Sequence, residues 1–110
     1  MKIFISQPMY GKTDDTIMKE RSLCMQYIRE QMPNKELHFI DSFTKPDDIV
    51  GNRIKMLGHS IMMLGDADLC VFLPGWTQSP GCLVEFDVCS RYNIPVHFIQ
   101  HKLLDMNAES

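Results

Sequence analysis

Apolar and polar positions change rhythm along this chain, and each change marks an element. Lys2-Ile3-Phe4-Ile5-Ser6 is a short β-type run closed by Gln7-Pro8 and then Gly11. Thr13 is a helix N-cap, Asp14 and Asp15 place acid in the first turn, and Ile17, Met18, Cys24, Met25, Ile28 and Met32 follow at helical spacing. Pro33-Asn34 stops that helix, and Leu37-His38-Phe39-Ile40 reads as a second strand. A polar loop follows from Asp41 to Asp48. Ile54, Leu57, Ile61 and Leu64 then recur at three- and four-residue steps, which predicts a second amphipathic helix near 50–65. Leu69-Cys70-Val71-Phe72-Leu73 is apolar throughout, as suits a central strand buried on both faces. Pro74 to Gln78 reads as a loop. Ser79-Pro80 then pairs a hydroxyl cap with proline at the first helical position, opening a third helix that runs to about Tyr92. Asn93 and Pro95 end it, and Val96-His97-Phe98-Ile99 is the last strand.

The order βαβαβαβ with short connections predicts a parallel sheet flanked by helices, because parallel neighbours need crossovers. The expected fold is α/β: a small flavodoxin-like or Rossmann-like three-layer sandwich with a four- or five-stranded parallel sheet. With 110 residues, 45% of them hydrophobic, a single domain over residues 1–99 is expected, with 100–110 as a C-terminal tail. Eleven basic against fourteen acidic side chains give a net charge of −3, and no long basic run exists. That argues against a partner that is a nucleic-acid polymer. Apolar stretches such as Ile61 to Leu64 fall short of the ~20 residues a bilayer span needs, so no membrane partner is expected. Met1 to Ile5 followed by Pro8 is too short for a signal peptide, and the expected location is the cytoplasm. Cys24, Cys70, Cys82 and Cys89 form no Cys-x-x-Cys pair and lie in apolar segments, which reads as reduced core thiols. The histidines are scattered, and neither a metal nor an organic cofactor is implied.

Ligands of such sheets bind beyond the carboxyl ends of the strands, where strand order reverses. Three segments leave those ends here: Ser6 to Asp14, Asp41 to Val50, and Pro74 to Glu85. The first is not a P-loop, because the Gly-x-x-x-x-Gly-Lys spacing is missing. Gly11 can admit close backbone approach, and Tyr10 offers a ring or a hydroxyl. Glu85 is flanked at three and four residues by Gly81, Cys82, Val88 and Cys89, so its carboxylate faces inward. A carboxylate so placed is either used chemically or paired with a loop N–H or Arg91. Asp66 and Asp68 either serve a site or cap the joint between helix and strand. Trp76, the only tryptophan, either packs in the interior or stacks on a ligand base.

The run Leu73-Pro74-Gly75-Trp76, Ser79-Pro80-Gly81 and Glu85 resembles the signature of a phage and bacterial family. That family is similar to the nucleoside 2-deoxyribosyltransferase superfamily, which includes deoxynucleoside 5′-monophosphate N-glycosidases. Ile5 to Gly11 resembles its first-strand loop, and Ala67-Asp68-Leu69-Cys70-Val71 its Ala-Asp strand, so the likeness covers about residues 2–98. The resemblance implies a covalent glycosyl intermediate on Glu85, resolved by water or a second base. It implies protonation of the leaving base by Asp68, with Asp66 as substitute, and Tyr10 orienting the nucleophile or lining the base pocket. Ser79 and Gly81 would hold the sugar's 5′ side or its phosphate, and Met9 would pack on the base. Ser6, Gln7, Gly11 and Trp76 complete the expected substrate-binding set. The chain departs from the pattern at Leu73-Pro74, where many relatives carry a further acid, and at Gln7, where glycine is common. Relatives associate and complete a neighbour's site near the C-terminus, where Asn107 lies here, so a homo-oligomer (dimer or higher) is expected. The expected function is N-glycosidic cleavage or transfer on a small-molecule nucleoside or nucleotide. The alternatives are a module that sequesters a nucleotide signal, of ADP-ribose type for example, without turnover, and an adaptor domain.

Overall fold

The computed structural model describes residues 1–43 and 50–101. Four strands, β1 (Lys2–Ser6), β2 (His38–Phe39), β3 (Leu69–Phe72) and β4 (Val96–Phe98), form one parallel sheet in the order β2-β1-β3-β4. Three helices connect them: α1 (Asp14–Gln31), α2 (Val50–Leu64) and α3 (Pro80–Tyr92). This is the expected α/β sandwich, with four strands. No helix among the described residues is long and apolar enough to cross a membrane. Residues 44–49, which take in most of the expected polar loop, and Asn107 lie outside the described residues.

Alternation along the strands sorts the core into two layers. Ile3, Ile5, Val71 and Leu73 pack with Cys24 and Ile28 of α1 on one face. Phe4, Cys70 and Phe72 pack with Leu64 of α2 and Cys89 of α3 on the other. The register aligns Ile3 with Leu69 and Ser6 with Phe72. Strand order reverses between β1 and β3, so the switch point lies above Ser6 and Leu73.

The elements differ from expectation in detail. β2 has two residues where four were expected, because as an edge strand it has a single neighbour. Its ladder still continues through His38 N–H to the Met1 carbonyl and Ile40 N–H to the Ile3 carbonyl. Trp76–Gln78, expected as loop, is a 3-10 turn after Gly75, whose φ of 89° requires glycine's freedom. The larger departure is α2. Its apolar stripe predicts a buried face, yet Leu64 alone is buried and Ile54 is 64% exposed. The first half of α2 walls a cavity instead of lying flat on the sheet.

Candidate functional site

The cavity has a volume of about 380 Å³ and sits at the carboxyl ends of the strands, between the β1 loop, α2 and the start of α3. Such a volume suits a small organic ligand. Ser79 caps α3, its Oγ accepting from Cys82 N–H at 3.4 Å, and Pro80 takes the first helical position. The helix rise and 3.6-residue turn then bring Glu85 round to the sheet, 7% exposed and lining the cavity. Ser6 shares a strand face with Phe4, the face that α2 and α3 cover, and its Oγ donates to Glu85 Oε1 at 2.6 Å. Burial pushes the Glu85 pKa up to about 7, and the Ser6 hydrogen bond pulls the other way. Arg91 takes no part: it bonds Asp87 at 2.9 Å on the exposed side of α3.

Ser6, expected to touch substrate, therefore fixes the carboxylate instead. It also fills the orienting role that the resemblance gave to Tyr10. Gln7, just past the end of β1, lines the cavity as expected and also reaches α1. Its amide donates to the Ile17 carbonyl at 2.9 Å and to Glu20 Oε1 at 3.1 Å, tying the β1 loop to α1. Met9 and Tyr10 line the cavity, as do Ser79 and Gly81. Gly11 does not; its φ of 80° closes the turn in which Lys12 N–H bonds the Met9 carbonyl. Tyr10 is 67% exposed, and the Arg53 guanidinium lies over its ring, 5.1 Å from the centroid.

Two expectations are overturned. Asp68 Oδ2 accepts from Lys2 N–H at 2.8 Å, and Asp68 N–H donates to the Lys2 carbonyl. It thus sits at the amino edge of the sheet, about 13 Å of strand from Ser6. It closes the β1–β3 joint and is too far away to protonate a leaving group in the cavity. Asp66 is exposed in the turn that ends α2, at the same edge, and cannot substitute. Trp76 does not line the cavity either. Its ring stacks on Phe98 at 5.2 Å and packs against Phe72 and Phe86, forming an aromatic cluster on the α3 side of the sheet.

Three contributors were not anticipated as site residues. Arg21 is 3% exposed, and its guanidinium reaches Ser42 Oγ at 3.2 Å behind the cavity wall. Its place on the 17-21-24-28 stripe of α1 was the available signal. Burial draws its pKa down, against the pull of Asp41. Ser42 lines the cavity at the end of β2, and Cys82 lines it beside Glu85. All four cysteines are free and buried. Burial raises the Cys82 thiol pKa, which favours its neutral thiol form. No family model, curated protein or solved structure matches the chain, so the geometry itself carries the functional argument.

Proposed function

We propose that this chain cleaves or transfers the N-glycosidic bond of a nucleoside or nucleotide, with Glu85 as nucleophile. The observation that supports this is a buried carboxylate held by Ser6 at the floor of an otherwise largely apolar cavity at the sheet's switch point. Desolvation raises the energy of the ionised carboxylate, and attack on the anomeric carbon relieves it by moving the charge onto the departing base. Glu85 Oε2 forms the new bond to C1′ while the C1′–N bond breaks, and the base leaves with that electron pair and takes a proton from solvent water at the open side of the cavity. Water then attacks C1′, giving free sugar and returning the carboxylate; a second base in place of water gives transfer. The likeness of Ser79-Pro80-Gly81 and Glu85 to a deoxyribosyltransferase-type signature supports the same reading.

Free-base release from a panel of nucleosides, nucleotides, NAD and cyclic ADP-ribose species, followed by chromatography, tests it. Glu85→Ala and Glu85→Gln are expected to lower release at least about a thousandfold with the fold intact. Unchanged turnover would remove Glu85 from the reaction. One observation favours sequestration without turnover as a second reading. Glu85 is the only carboxylate among the described cavity-lining residues, and the expected acid, Asp68, lies at the far edge. Under that reading a tightly bound nucleotide is recovered intact.

A further inference from the structure

We infer that Arg53 makes this cavity selective for a phosphorylated ligand, a nucleoside 5′-phosphate over the free nucleoside. The inference rests on the nucleotide reading above and narrows its substrate class. Arg53 is the only Lys or Arg among the described cavity-lining residues, and it stands on the first turn of α2 at the exposed rim. Glu85 lies at the buried floor. The cavity is therefore polarised along its depth, carboxyl inside and guanidinium outside.

Among the described residues, Lys12 and Arg21 are committed elsewhere. Lys12 bonds Glu20 at 2.8 and 3.2 Å and does not line the cavity, and Arg21 is buried behind it against Gln7 and Ser42. The Tyr10 ring, itself mostly in solvent, supports the Arg53 guanidinium at 5.1 Å. A guanidinium stacked on a ring keeps its N–H edges for a planar or tetrahedral anion, and its forked donors match two phosphate oxygens. Ser60, two helical turns along the same face of α2, adds a hydroxyl to the lining. The chain's net charge of −3 offers an anion no general attraction. Discrimination must then come from this local group, which a neutral nucleoside does not engage.

Calorimetric titration of Glu85→Gln protein, which reads binding without turnover, tests the inference. The probes are the four 2′-deoxynucleosides and their 5′-monophosphates, each titrated with and without Arg53→Ala in the same background. The monophosphate of the preferred base is expected to bind about 10- to 100-fold more tightly than its nucleoside, the range of a charge-assisted contact. Arg53→Ala brings that ratio to within about threefold, and Arg53→Lys restores part of it, since lysine keeps the charge without the fork. Equal binding of the two ligands overturns the inference, as does a preference that survives Arg53→Ala. Binding of neither overturns it together with the nucleotide reading. Base release that needs Glu85 but ignores the phosphate would leave the glycosidic reading standing alone. A phosphate preference lost in Arg53→Ala, with release persisting in Glu85→Ala, would do the reverse.

Discussion

Ser6 and Glu85 stand 79 positions apart, and their 2.6 Å hydrogen bond is the contact around which the cavity floor is built. The hydroxyl favours the ionised carboxylate and opposes the effect of burial, so removing it raises the Glu85 pKa above its present value of about 7. In the proposed reaction the rate requires the carboxylate, so the acid limb of the rate–pH profile follows that pKa. In Ser6→Ala the limb is expected to move upward by about one pH unit, the equivalent of ~1.5 kcal/mol for a hydrogen bond to a charged group. Measuring kcat/KM for base release between pH 5 and 9 checks this, and a profile superimposable on wild type would assign Ser6 no positioning role. The inward direction of Glu85 could be read from its neighbours at three and four residues. Its partner could not, since Arg91 and a loop N–H were equally open to it until the strands were placed.

Among the elements, α3 shows how local chemistry sets up a site. Ser79-Pro80 fixes where the helix begins, and that start fixes by simple periodicity which side Glu85 faces. Ser79→Ala removes the cap to Cys82 N–H and is expected to cost about 1 kcal/mol. Urea unfolding should report this as a lower midpoint with an unchanged slope; an unchanged midpoint would mean the cap contributes nothing. At the other end Asn93, with φ of 58°, closes the helix in the left-handed conformation that asparagine tolerates better than most side chains. Helix α2 behaves differently. Its period was plain in the sequence, but period reports which residues share a face and not whether anything covers that face. Here the covering partner is in part a cavity.

At the scale of the molecule, the site lowers the stability of the fold that holds it. Glu85 is ionised at alkaline pH in both the folded and unfolded states, but ionisation inside the protein occurs only near pH 7. A carboxylate with a raised folded-state pKa imposes no penalty below its unfolded value of about 4.3, and the penalty grows as pH rises to about 7 and is full above. Glu85→Gln removes it. The variant is expected to exceed wild type by about 3 kcal/mol at pH 8 and by only about 1 kcal/mol at pH 5. Denaturant titrations at the two pH values check this, and a gain independent of pH would show that burial does not perturb the group. A stability gain coupled to loss of chemistry is the usual mark of a functional residue kept against the interest of the fold.

The sequence by itself determined the order and type of the elements, the parallel sheet and the inward carboxylate. Each depends on interactions within one run of residues: Thr13 and Ser79 as caps, Pro33 and Asn93 as stops, and an all-apolar β3 that needs helices on both faces. Tertiary structure alone decided what crosses between runs. It gave Asp68, whose place just before a strand of a parallel sheet already put it at the amino edge, its bond from Lys2 N–H. It turned Trp76 onto Phe98 and Phe72, and it set Ser6 against Glu85 and Arg53 over Tyr10. Strand parity gives each side chain a face, but strand order and register decide which other element shares it, and those follow from packing across the whole chain.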